Sequence, residues 1–107
     1  MTKDKFVEFL NSFQKDLIFN NNASQYEIGY RCATGCVNDV VDTHCNLFIN
    51  FTQNTSKSSL FEEDCINTII CVLESTLDNK TNDDDFNKGY KEKIKETIEK
   101  LKEYNKK

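Results

Sequence analysis

The chain has no proline and no tryptophan, a single methionine, and one arginine, Arg31. Without proline nothing in the sequence forces a helix to stop, and small turn-rich folds usually use that residue, so the chain reads as helical. Only 37% of its 107 residues are apolar. A charged chain of this size fills a small core and is marginal without cross-links or association. A formal charge of −4 and a lysine-rich end interleaved with glutamate exclude the clustered basic surface that nucleic acid requires. No apolar run is long enough to span a bilayer, so no transmembrane segment is expected. The first residues show neither the basic-then-apolar order of a secretory leader nor the arginine-rich, acid-poor stretch of a mitochondrial presequence. The C-x-x-C motif of a redox enzyme is missing as well.

What is present is cysteine, five residues in clustered positions. In Arg31-Cys32-Ala33-Thr34-Gly35-Cys36-Val37-Asn38-Asp39, two cysteines lie four apart, displaced by only about 40° around a helix. A second cluster, Cys65 and Cys71, lies in another apolar-rich run. Each pair falls within its own helical half, and together they describe a helical hairpin stapled by disulfides. Absent leader and paired cysteines conflict, since the first suggests the cytosol and the second an oxidising compartment. The mitochondrial intermembrane space reconciles them.

Along the chain, residues 1–82 are expected to form this hairpin, with a first helix at about 2–41, a long loop at 42–59 and a second helix at about 60–77. Phe6, Phe9, Leu10, Phe13 and Leu17 recur at helical spacing between charged residues. The signal weakens over 20–24, where a break and a frayed continuous helix are both possible. Ser24 is an N-cap candidate, followed by Tyr26, Ile28, Tyr30, Ala33, Val37 and Val40. Gly29 and Gly35 weaken this helix, and Gly35 can admit a neighbouring backbone. The connection is unusually apolar over Asn46–Thr52, as though it held an extra helical turn. Ser59 with Glu62 matches a capping box. Leu60, Ile66, Ile69, Ile70, Leu73 and Leu77 then form a stripe. Residues 83–107 are expected to be a helical extension, with Tyr90, Ile94, Ile98 and Leu101 on one face.

The first cysteine motif, with its preceding basic residue and the Val-Asn-Asp that follows, resembles that of the small Tim chaperones of the mitochondrial intermembrane space. The layout from Phe6 to Leu77 is similar to theirs. The resemblance implies an all-α, disulfide-stapled helix–loop–helix hairpin assembling into a hexameric ring of alternating related chains. By the family's nested pairing it implies a bond between Cys36 and Cys65, and an outer bond between Cys32 and Cys71. The second motif departs from the family, because C-x5-C leaves Cys71 roughly 240° around the helix from Cys65. Cys45, in the long connection, is a free or alternative thiol. The implied function is escort of hydrophobic membrane-protein precursors to an inner-membrane translocase. The alternative is a permanent subunit of an inner-membrane assembly such as a respiratory complex.

Plainer readings stand beside these. The Phe6–Leu17 stripe suits either client binding or packing against a neighbouring subunit. The Tyr90–Leu101 stripe reads as a docking helix. C-x3-C with C-x5-C is not a usual zinc spacing even with His44 beside Cys45, and no metal or other cofactor is expected. His44 reads as a solvated loop residue, and no nucleophile–base arrangement has support, so no catalytic residues and no enzyme are expected. A cytosolic helical adaptor with reduced cysteines is the remaining alternative.

Overall fold

The computed structural model describes residues 3–13, 22–54 and 57–105. Among them are four α-helices: α1 (Lys3–Asn11), α2 (Gln25–Phe51), α3 (Glu62–Asp78) and α4 (Asp85–Asn105), with a 3-10 turn at Ser58–Phe61 leading into α3. At 27 residues, α2 is about 40 Å long at the usual helical rise. It is the spine of a bundle 48 Å in its longest dimension.

Side-chain partners fix the directions of the helices. Tyr26 and Gly29 at the start of α2 meet Phe86 and Gly89 at the start of α4. At the other end, Phe6 lies between Phe48 of α2 and Tyr104 of α4. Thus α2 and α4 run parallel. The Cys65 thiol donates to the His44 carbonyl and Tyr104 donates to Glu62, so α3 runs antiparallel to both. The short α1 lies across the far end. Its nine residues are too few for a stable isolated helix. It is held by Phe6, fully buried with its ring 4.6 Å from that of Phe48, and by Phe9, stacked 4.5 Å from Tyr104.

The fold class expected from the sequence is therefore corrected. A two-helix hairpin stapled by disulfides and closed into a hexameric ring is replaced by a four-helix arrangement with no disulfide among the described residues. Helix α4 is no appendage, for Ile94, Ile98 and Leu101 are buried in one core with Val37, Val41, Ile66, Ile69 and Leu73. The stripes at Phe6–Phe13 and Ile94–Leu101 are buried within the chain, so neither is left for a ring of neighbours to cover.

The connection differs too. Where a loop is expected from residue 42, α2 continues to Phe51. Ala33, Val37, Val41, Cys45 and Phe48 are all buried, and their spacing of three and four extends one helical stripe across the expected boundary. No glycine or proline interrupts it after Gly35. The helix stops at Thr52, whose backbone N–H and hydroxyl both donate to the Phe48 carbonyl. Its start is as expected, with the Ser24 hydroxyl accepting from the Glu27 amide at 3.2 Å.

The close backbone approach occurs at Gly29 and Gly89. A β-carbon on Gly29 would overlap the Phe86 carbonyl, and one on Gly89 would overlap that of Tyr26. Only glycine lets α2 and α4 touch there.

The expected capping box is not made by Glu62. Helix α3 starts from Phe61 without a side-chain cap hydrogen bond. Glu62 turns inward instead, 6% exposed, and its Oε1 accepts from the Tyr104 hydroxyl at 2.7 Å.

Candidate functional site

Between the end of α2 and the start of α3, with no α4 residue in its lining, a groove of about 470 Å³ is left open. Its walls are His44, Leu47, Phe48 and Phe51 from α2, and Phe61, Asp64, Cys65 and Thr68 from the turn and α3. Each wall follows the spacing i, i+3, i+4, i+7, the face that a helix presents to another helix packed beside it. Phe48 is the floor, almost fully buried and backed by Phe6. Leu47 is 57% exposed and Phe51 71% exposed. The Phe51 and Phe61 rings meet edge to face at 4.9 Å.

Two groups in the groove carry potential chemistry, Cys65 and His44. Burial is the main cause that pushes the Cys65 thiol up to about 11, with Cys45 and Glu62 adding to it. Near neutral pH it is a thiol rather than the nucleophilic thiolate. Its S–H points at the His44 backbone carbonyl, 3.7 Å away, and so makes no base-assisted pair through that bond.

The other cysteines separate between two seams. Cys65 stands level with His44 and Cys45, eight or nine residues beyond Cys36, an offset of about 12 Å or more along α2. A disulfide requires β-carbons about 4 Å apart. Cys36 and Cys32 lie instead in the α2–α4 seam, beside the hydroxyl of Tyr90. Burial first, and then Cys36, hold that phenol well above its usual range. Lys80 lies over the same ring at 4.4 Å. Cys71 is exposed on α3 and Cys45 is buried. All five cysteines are free thiols.

The two stripes read from the sequence both turn inward. Phe6, Leu10 and Phe13 are buried, Phe9 packs against the same core, and Leu17 lies outside the described residues. From the second stripe, Ile94, Ile98 and Leu101 are buried and Tyr90 is half-buried against the core. Neither is an open apolar surface. The exposed one was hidden in the expected loop at 42–59, where Leu47, Phe48 and Phe51 continue the helical period.

Compared with known protein families, curated proteins and solved structures, the chain matches none. The resemblance to the small Tim family is thereby overturned, since its stapled hairpin is absent as well. With it go the precursor-escort role, the respiratory-complex alternative, and the partnership with related chains in a heterohexamer, all of which depended on that hairpin. Among the described residues, no helix is long and apolar enough to cross a membrane.

Proposed function

We propose that this chain is a non-catalytic helical interaction module that receives an amphipathic helix of a partner protein between α2 and α3. The observation that carries this reading is the pair of helical stripes flanking one open apolar groove, with Leu47 and Phe51 largely in solvent. Large apolar side chains gathered on one face mark a contact surface, whereas scattered ones do not. A third helix laid in the groove would cover them from both walls, in the helix-in-groove mode. The protonated, carbonyl-directed thiol of Cys65 supports a binding role over a catalytic one.

A backbone amide NMR titration with a helical peptide carrying leucines at i, i+3, i+4 and i+7 tests this. Shifts are expected to cluster on residues 44–51 and 61–68 and to vanish in a Leu47→Asp, Phe51→Asp double variant that remains folded. Shifts spread over α4, or none at millimolar peptide, would sink the reading.

A further inference from the structure

We infer that the helix received by the groove belongs to a different protein and carries lysine or arginine beside its apolar stripe, and that a second copy of this chain is not the occupant. This rests on the helix-in-groove reading. The groove's lining holds one carboxylate, Asp64, and no lysine or arginine. Asp64 is exposed in the first turn of α3, next to the equally exposed Glu63.

A second copy has little to offer such a groove. Among the described residues, two of its three largest apolar exposures, Leu47 and Phe51, line the groove itself, while Leu60, Tyr26 and Val72 stand on three different elements or turns and form no i, i+3, i+4, i+7 stripe. Its outer α4 face presents the exposed charges Lys88, Glu92, Lys95, Glu99 and Lys102, which supply no apolar anchor. Self-association would therefore be isologous, groove against groove. That arrangement brings the exposed Asp64 and Glu63 of both copies to one rim with no lysine or arginine in the lining, and like charges set against each other disfavour the pairing.

A basic-flanked helix meets the opposite situation. Its apolar side chains enter between the stripes while its cation reaches Asp64 at the rim. The contact stays solvated, so its main effects are orientation and encounter rate, and the chain's net charge of −4 steers in the same direction. The two walls span eight residues each, 44–51 and 61–68, or about 11 Å. The occupant thus presents two to three turns.

The test uses the full chain and two labelled, side-chain-stapled helical peptides of about 15 residues. Both carry the same leucine face; one has lysine flanks and the other glutamate flanks. Anisotropy titrations at low salt are expected to favour the lysine peptide by about tenfold or more. Raising the salt to about 0.3 M should shrink that preference, because the pairing is exposed. An Asp64→Asn, Glu63→Gln variant should lose most of it while retaining the affinity due to the leucines. Equal binding of both peptides, still abolished by Leu47→Asp with Phe51→Asp, would overturn the charge inference and leave the groove reading standing. Binding of neither peptide would overturn both. Sedimentation showing a dimer that the same double variant dissociates would overturn the inference in favour of a second copy.

Discussion

The first turns of α2 and its last turns solve opposite problems. Near its start α2 meets α4 through Gly29 and Gly89, with backbone against backbone and no room for a methyl group. Near its end it meets α3 through large side chains, and the outer part of that contact stays open at Leu47 and Phe51. Close approach at one end fixes how the helices lie, and bulk at the other holds them far enough apart to leave a groove. Rigidity and vacancy are thus built into one helix, and each can be disturbed without the other.

The largest effect is expected at the closed end. Gly29→Ala or Gly89→Ala places a β-carbon where a backbone carbonyl already sits, and a carbonyl in a helix cannot swing aside as a flexible side chain can. Overpacking of this kind costs about 3 kcal/mol. For a domain of this size that lowers the melting temperature by roughly 10–20 °C. Thermal unfolding followed by circular dichroism measures it. A loss below about 0.5 kcal/mol, the scale of a surface change, would mean that α2 and α4 are not in backbone contact.

Next comes the polar latch beneath α1. The Tyr104 hydroxyl satisfies Glu62 Oε1, while Oε2 is buried without a hydrogen-bond partner among the described residues. Tyr104→Phe keeps the ring that stacks on Phe9 and removes the donor alone. Leaving a buried carboxylate short of its donor costs about 1–3 kcal/mol. Glu62→Leu with Tyr104→Phe removes both polar partners and should recover part of that loss, which a double-mutant cycle in urea detects.

A smaller effect concerns alkaline pH. Tyr30 donates to Glu96 across the α2–α4 seam, and that carboxylate, with burial second, raises the phenol to about 12. Burial likewise raises Tyr104 and Tyr90. An acid whose pKa is raised by folding keeps its proton longer in the native state. Its contribution is fully present below the unfolded value near 10 and is lost as pH climbs through the folded one. Stability should begin to decline near pH 9, where the raised Cys65 thiol enters, and fall further from about pH 10 toward pH 12 as the phenols follow; Tyr30→Phe should soften the later part of that decline. Urea midpoints across the range decide it.

How far the sequence could be read follows from these same residues. Helical class, the Ser24 cap and the existence of apolar stripes at Phe6–Phe13 and Ile94–Leu101 were legible because each is a local pattern, but the stripes' direction, into the chain's own core, was not. The partner of a stripe is not local. Ile94, Ile98 and Leu101 face a core in the same chain, and spacing alone cannot separate that from docking on a neighbour. The cysteine motif misled for a related reason. An i, i+4 pair fixes which side of α2 its thiols occupy, but the axial register of α3 decides what they meet, and α3 brings Cys65 to His44. The groove was missed because the hairpin reading placed a loop at 42–59, where the apolar Asn46–Thr52 suggested only an extra helical turn, although the stripe from Val37 to Phe48 never broke.

The smallest stability effect is the most telling for function. Phe48 and Phe51 are three residues apart and both line the groove, yet Phe48 is 4% exposed and Phe51 71%. Phe48→Ala removes the ring against which Phe6 packs, a core truncation that costs about 3 kcal/mol, on a par with the glycine substitutions. Phe51→Ser takes apolar surface out of water contact and should leave stability within about 0.5 kcal/mol. Leu47→Ser should behave alike. A large aromatic that the fold does not need is retained at a cost in solubility, and such a residue is explained by what it binds. If Phe51→Ser instead unfolds the protein, Phe51 is a core residue covered by part of the chain itself, and the groove is closed. If stability holds while peptide affinity falls about tenfold, the open end of α2 is a binding surface, since an exposed anchor acts on the complex and not on the fold.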